Sequence, residues 1–235
     1  MTIPVEVATV AGCARLEGAG GAALLDRLVP GGGPWELEIG FGKGRFLLAR
    51  AAERRDLRFL GLEVAGEYFR LAARRLARRG LANAALVRGE ALYLLAAVLP
   101  RAFARELHVY FPDPWPKSRH QRRRLFSPAS VDLVLGALEP GGRLCFATDH
   151  LDYGAEVEAI LAGCPGLTVA RRSGGWEDGP RTNYEAKYVE EGRPILRLEA
   201  VLAGAPGLHP AGAREVLVAC AVAGTGGAGD DAPGW

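Results

Sequence analysis

From Trp35 onward the chain alternates short apolar runs with amphipathic stretches, and that rhythm restricts the fold more than any other feature. "WELEIG" predicts a strand, "GRFLLARAAERR" a helix, "LRFLGLEV" a strand, and "EYFRLAARRLARRG" a helix closed by Gly80 just past its last turn. The order repeats in "AALVRG", "EALYLLAAVL", "ELHVYF" and "SPASVDLVLGALEPGG", where Ser127 can cap a helix and Pro128 can occupy its first turn. "RLCFATD" and "YGAEVEAILAGC" give a further strand and helix. "LTVARR" and "PILRLEAVL" then read as closing strands on either side of the loop "SGGWEDGPRTNYEAKYVEEG". This alternation predicts an α/β fold in which helices cover a mostly parallel sheet.

The rhythm divides the chain into a lead-in strand or arm and a loop over residues 1–34, one catalytic domain over 35–203, and an Ala/Gly-rich extension over 204–235. Within the extension "REVLVACAV" suits one extra strand and "GTGGAGDDAPGW" a frayed tail. At 235 residues the chain is long enough for one such domain and too short for two. Its 29 basic and 27 acidic side chains nearly cancel to +2, so any polyanion must be held by local clustering. Cys13, Cys145, Cys164 and Cys220, with His108, His120, His150 and His209, lack disulfide or metal-ligand spacing. No metal is expected, and a reducing compartment fits. The start "MTIPVEVATVAG" lacks the basic and apolar regions of a signal peptide, and no apolar run spans a bilayer. The expectation is a cytoplasmic protein that does not enter a membrane, either a monomer or a homodimer.

"ELEIGFGKGRFLL" carries the first chemical signal, a strand that enters a glycine loop and then a helix. Gly40, Gly42 and Gly44 let the backbone turn sharply and approach a ligand, and the next helix offers free N–H groups. The spacing is GxGxG preceded by Glu38, whereas a dinucleotide fold wants GxGxxG. A carboxylate at that point repels a pyrophosphate and suits a cationic amino-acid group. Glu63, nineteen residues after Gly44, ends the second strand where ribose hydroxyls need an acceptor, and Glu90 stands at the end of the third, near an adenine. Singly, each acid is an ordinary loop residue. In order at successive strand ends, the three describe S-adenosylmethionine better than NAD.

The stretch "LHVYFPDPWPKSRHQRRR" from Leu107 to Arg124 changes character twice. "LHVYF" reads as the fourth strand, and Pro112, Pro114 and Pro116 stiffen the loop that presents Asp113, since each fixes φ and restricts its predecessor. Trp115 is open between a wall for a base and a core plug. Lys117, Arg119, His120, Arg122, Arg123 and Arg124 then form a basic segment beside the proposed site, placed to meet RNA phosphates. The other basic run, Arg74, Arg75, Arg78 and Arg79, has the spacing of the solvated side of an amphipathic helix.

These motifs resemble one family. "YFPDPWPKSRHQRRRL", "TD" at Thr148 and Asp149, and "TNYE" from Thr182 to Glu185 are similar, in order, to the signatures of bacterial tRNA (guanine-N7)-methyltransferases. The likeness runs from about Trp35 to Val201. It implies a Rossmann-like class I methyltransferase with a seven-stranded, mostly parallel sheet and an antiparallel last strand. It further implies transfer of a methyl group from S-adenosylmethionine to N7 of a guanine in the tRNA variable loop. Carried over, Glu38, Glu63, Glu90 and Asp113 are cofactor-side acids, and Lys117, Asp149, Thr182, Asn183, Tyr184 and Glu185 are substrate-side. Arg119 to Arg124 correspond to the RNA-contacting segment. Glu90 departs from the family's usual Asp or Asn.

Guanine N7 has a lone pair and no proton, so attack on a sulfonium methyl needs no general base. Asp113 is the expected central residue, facing either the Watson–Crick donors of guanine or the methionine amine. Three rivals are a methyltransferase acting on an exocyclic amine, a non-catalytic RNA-binding protein of the same fold, and a dinucleotide oxidoreductase.

Overall fold

In a strand successive side chains point to opposite faces of the sheet, so the parity of each apolar residue decides which helix layer it meets. A computed structural model describes residues 5–15 and 20–204, and in it the central strands keep this parity apart from a bulge near Ala104 at the start of the fourth parallel strand. Leu37, Ile39, Leu60, Leu62, Leu107, Val109, Leu144 and Phe146 form one apolar face. Helices bury that face from one side, while Phe59 and Leu86 of the opposite face pack against a second helix layer.

In chain order the elements begin with a hairpin, β1 (Glu6–Thr9) and β2 (Gly12–Arg15), followed by α1 (Ala22–Leu28). Next come β3 (Trp35–Ile39), α2 (Arg45–Glu53), β4 (Arg58–Glu63), α3 (Gly66–Arg78), β5 (Ala84–Arg88) and α4 (Ala91–Ala97). A second half follows with β6 (Ala104–Tyr110), α5 (Val131–Leu135), β7 (Leu138–Thr148) and α6 (Leu151–Ala162). The chain closes with β8 (Leu167–Arg171), α7 (Asn183–Glu190) and β9 (Leu196–Leu202). Among the described residues the sheet has nine strands, in the order β2-β1-β5-β4-β3-β6-β7-β9-β8. Five of them, β5-β4-β3-β6-β7, pair in parallel. The last, β9, runs antiparallel between β7 and β8, as expected of a closing strand.

Helices α1, α4, α5 and α6 cover the first face, and α2 and α3 the second. Gly80, with φ of 60°, ends α3 in the left-handed region, where a side chain would be strained. The Ser127 hydroxyl accepts from Ser130 N at 3.2 Å, and Ser127 O accepts from Val131 N. Ser127 therefore starts the turn that leads into α5, one turn earlier than the helix proper.

Three features differ from the sequence reading. The sheet has two strands beyond the expected seven, because the hairpin β1–β2 adds to β5 in antiparallel register. The lead-in before Trp35 also holds α1, whose Leu24, Leu25 and Leu28 are in the core. Glycine-rich flanks hid that short helix. The loop before β9 contains α7, started by Thr182, whose Oγ1 accepts from Glu185 N at 3.0 Å. This is the Thr-x-x-Glu start signal of a helix. The extra strand and tail expected beyond residue 204 lie outside the described residues.

Candidate active site at the carboxyl ends of the parallel strands

Strand order reverses between β3 and β6, and in open α/β sheets the crevice outside the carboxyl ends at such a point is where ligands bind. The glycine loop, Glu63, the 111–117 lip and Asp149 all leave the sheet at this edge, from β3, β4, β6 and β7. Gly40, Gly42 and Gly44 have φ of 75°, 51° and 70°. A Cβ at Gly40 or Gly42 would meet no atom within 4 Å, so the loop fronts open space. One at Gly44 would come within 3.1 Å of Ala72 and Leu48, so that glycine serves close helix packing.

The two inner acids set the loop. Glu63 Oε2 accepts from Gly42 N, and its Oε1 from Ala65 N, both at 2.9 Å. Glu38 is buried, and its Oε2 accepts from Leu47 N in the first turn of α2 at 3.2 Å. Burial pushes the Glu38 carboxyl up to about 8, and Glu63 adds to the rise, while the Leu47 N–H and the Arg181 guanidinium oppose it. Glu90 is differently employed. Exposed at the start of α4, it accepts from Leu92 N at 3.1 Å and Tyr93 N at 2.7 Å as that helix's N-cap. An exposed cap at the end of the neighbouring parallel strand fits the adenine side of a nucleoside, and an open, glycine-floored loop between two carboxyl groups fits its sugar and cationic amino acid. The residues present thus suit S-adenosylmethionine.

Asp113 stands exposed on the lip. The backbone around it is strained: Phe111 and Trp115 have φ of 52° and 40°, which costs of order 1 kcal/mol or more for each non-glycine residue. Two anchors hold the lip in place, Phe111 N on Ala147 O at 2.7 Å and Arg124 Nε on Pro114 O at 2.8 Å. Trp115 is half-buried rather than a core plug, lying edge-on to His120 with the Arg123 guanidinium 5.1 Å from its ring centre.

The basic segment splits. Lys117, Arg119, Arg122 and Arg123 are exposed along a 3-10 turn, Ser118–Arg123, with His120 half-buried among them. Arg119 Nε donates to His120 Nε2 at 3.2 Å, and partial desolvation with the surrounding cations lowers the His120 pKa. Arg124 corrects the sequence reading. It is 6% exposed, paired with Glu156 and stacked 4.8 Å over Tyr153, so it turns inward and braces the lip. Of the run on α3, Arg74, Arg78 and Arg79 are exposed, but Arg75 reaches the glycine loop and donates to Lys43 O at 2.7 Å.

The "TNYE" segment splits as well. Tyr184 is 56% exposed, and Asn183 Oδ1 accepts from Arg45 Nη1 at 3.2 Å, a bridge from this segment to the glycine loop. Glu185, by contrast, is fully enclosed, its Oε1 accepting from Arg197 Nε at 2.7 Å and its Oε2 from Arg181 N at 2.8 Å. Its carboxylate faces β9 and the start of α7, not the crevice. Asp149 is half-buried at the end of β7, close enough to Tyr188 to raise that phenol's pKa, after burial.

Linear spacing hid a polar network on the sheet face beneath α2. Glu36, His108 and Tyr110 share that face, with Arg181 docked on it from the loop before α7. Register brings Glu106, His108 and Cys145 together, with ligating atoms within 4.8 Å of one another, although their spacing had suggested no such cluster. Both carboxylates there are held by cations, Glu36 by Arg50 and Glu106 by Arg143, each at 2.7 Å. The recoverable signal was acids and His at period two inside strands, "ELE" and "ELHVY".

A family model described as "Putative methyltransferase" matches residues 33–198. A tRNA (guanine-N(7)-)-methyltransferase of Nitrosococcus oceani is 40% identical over 164 residues, 69% of each chain. One of Leifsonia xyli subsp. xyli is 37% identical over 185 residues, 77% of this chain and 82% of that one. Among solved structures, the 16S rRNA methyltransferase KamB superposes with a TM-score of 0.61 at 16% identity, covering 84% of this chain and 99% of that one, a likeness of fold. With the motif-bearing strand ends and these relatives in agreement, the chain belongs to the tRNA (guanine-N7-)-methyltransferase family.

Proposed function

We propose that the protein transfers a methyl group from S-adenosylmethionine to N7 of a guanine in the variable loop of tRNA. The observation that carries this reading is the juxtaposition, at one switch point, of the carboxylate-flanked glycine loop and the braced FPDPWPK lip. Glu38, Gly40, Gly42, Gly44, Glu63 and Glu90 take the cofactor, which when bound supplies an electrophilic methyl group on a sulfonium. Because N7 carries no proton, the protein's work is to align and desolvate. Asp113, and Asp149 one strand away, accept from the N1–H and N2–H of guanine and favour the positive charge that develops on the base. Lys117, Thr182, Asn183 and Tyr184 line the substrate side. Glu185 and Arg124 act through the segments they hold.

Among the described residues no helix is long and apolar enough to cross a membrane. A tRNA substrate supports the reading of a cytoplasmic protein. Lys117, Arg119, His120, Arg122 and Arg123 grip the RNA backbone. The double variant Arg122→Ala/Arg123→Ala is expected to lose two phosphate contacts and lower the slope of log K against log salt by about 1.4–1.8. Arg124→Ala should leave that slope unchanged and instead lower Tm. Binding titrations at several salt concentrations separate the two, and an unaltered slope in the double variant would return these arginines to a solvated face.

The direct test is incubation of unmodified tRNA with labelled S-adenosylmethionine, followed by nucleoside identification. The expected product is 7-methylguanosine. N6-methyladenosine or N2-methylguanosine would overturn the reading.

A further inference from the structure

Arg181 immediately precedes the "TNYE" segment, yet its side chain runs away from solvent into a cage of rings. Its guanidinium carbon lies 4.2 Å from the ring centre of Trp176, 5.0 Å from Phe46 and 5.7 Å from Tyr110. Phe46 sits in the first turn of α2, next to Leu47, whose N–H holds Glu38. Arg181 Nη1 donates to Tyr110 Oη, and Nε pairs with Asp178 at 3.0 Å.

The contacts continue inward. Tyr110 Oη lies 2.9 Å from His108 Nδ1, and His108 Nε2 lies 3.3 Å from Glu36 Oε2, which Arg50 Nε also reaches at 2.7 Å. One arrangement of protons satisfies every member. Arg181 donates to Tyr110, Tyr110 to Nδ1, and the Nε2–H of neutral His108 to Glu36. Burial lowers the His108 pKa, which keeps the ring neutral, and the hydrogen bonds from His108 and Arg50 outweigh burial to hold Glu36 ionised, at about 2. A chain with one consistent direction pins the guanidinium, and rings on three sides make its field on nearby acids stronger than in water.

We propose that Arg181 is a positioning residue for the cofactor, a fixed cation, locked by the Tyr110–His108–Glu36–Arg50 chain, that favours the anionic form of Glu38 as the acceptor for the methionine ammonium. The groups facing Glu38 are Glu63 from β4, His108 and Tyr110 from β6, the Leu47 N–H of α2, and Arg181. Glu63 disfavours the anion, His108 is neutral and Tyr110 is a phenol held well above its ordinary range. Among the described residues that face Glu38, Arg181 is therefore the side-chain cation. Removing its charge moves ionisation of Glu38 to higher pH.

The inference rests on the S-adenosylmethionine reading, and the test separates the two. Calorimetry with S-adenosylmethionine alone gives Kd against pH for the wild type, Arg181→Met, Arg181→Lys and Tyr110→Phe. The ligand's own α-ammonium titrates over the same range for every protein, so each variant is read as its Kd relative to wild type at the same pH. Arg181→Met should bind about tenfold more weakly than wild type at pH 7 but only about twofold more weakly at pH 9. Arg181→Lys should recover most of the loss, and Tyr110→Phe, which keeps the ring and frees the guanidinium, should fall between. If Arg181→Met fails to fold, Tyr110→Phe decides by the same pH signature. A loss equal at both pH values, or none, would overturn the proposal. Absence of wild-type binding at either pH would sink the cofactor reading and this inference with it.

Discussion

Asp113→Ala is expected to lower kcat by about 10²–10³ while leaving the protein folded, the loss typical of removing one preorganised partner of transition-state charge. The side chain is exposed on the lip, and the lip's anchors are other groups, Phe111 N on Ala147 O and Arg124 on Pro114 O. Surface substitutions without structural partners change stability by about 0.5 kcal/mol or less, so Tm should hold. Asp113→Asn distinguishes its two candidate contacts. An amide retains one acceptor but loses the charge, so a role toward the methionine ammonium raises Kd for S-adenosylmethionine, and a role toward guanine lowers kcat with that Kd intact. Near-normal methylation by both variants would remove Asp113 from the centre of the mechanism.

Glu185→Ala has the opposite signature, and it separates a family motif from the job the motif does here. Deleting the carboxylate leaves the Arg197 guanidinium unpaired in the interior, a change that costs about 3–5 kcal/mol. In a domain of this size that lowers Tm by about 6–20 °C. It also frees Arg181 N and the start of α7, which hold Thr182 and Tyr184 in place. Replacing both partners, Glu185→Leu with Arg197→Met, should restore much of the stability, since an apolar pair of similar volume avoids the desolvation cost. Activity that returns with stability in the double variant identifies Glu185 as a brace. A stable double variant with no turnover would instead put its carboxylate in contact with substrate.

Much of the fold was legible because it depends on local order. The strand–loop–helix at Trp35 to Glu53, Gly80 past α3 and the acids at successive strand ends are all set by residues a few positions apart. What escaped was decided by partners far along the chain. Arg124 stands in an unbroken basic run, yet Glu156 and Pro114 draw it inward, and no property of the run distinguishes it from Arg123. Glu185 lies in a motif shared with substrate-side positions, yet Arg197, on the next strand, claims its charge. Helix α1 could not be read from small residues and glycines, because its three buried leucines form a face only against the sheet.

The sequence by itself determined the alternation of elements, the glycine loop with its preceding acid, and the order of motifs that places the chain in its family. These are properties of neighbouring residues, and local sterics and hydrophobic periodicity suffice for them. Only the tertiary structure decided which charges face outward. It sent Arg119, Arg122 and Arg123 to solvent, Arg124 and Glu185 to the interior, and Arg181 into a ring cage connected to Arg50 through Glu36, His108 and Tyr110. The reason is physical: a charge is tolerated inside only when a partner of opposite sign or a set of hydrogen bonds meets it, and those partners come from strands and loops that only the folded sheet brings together.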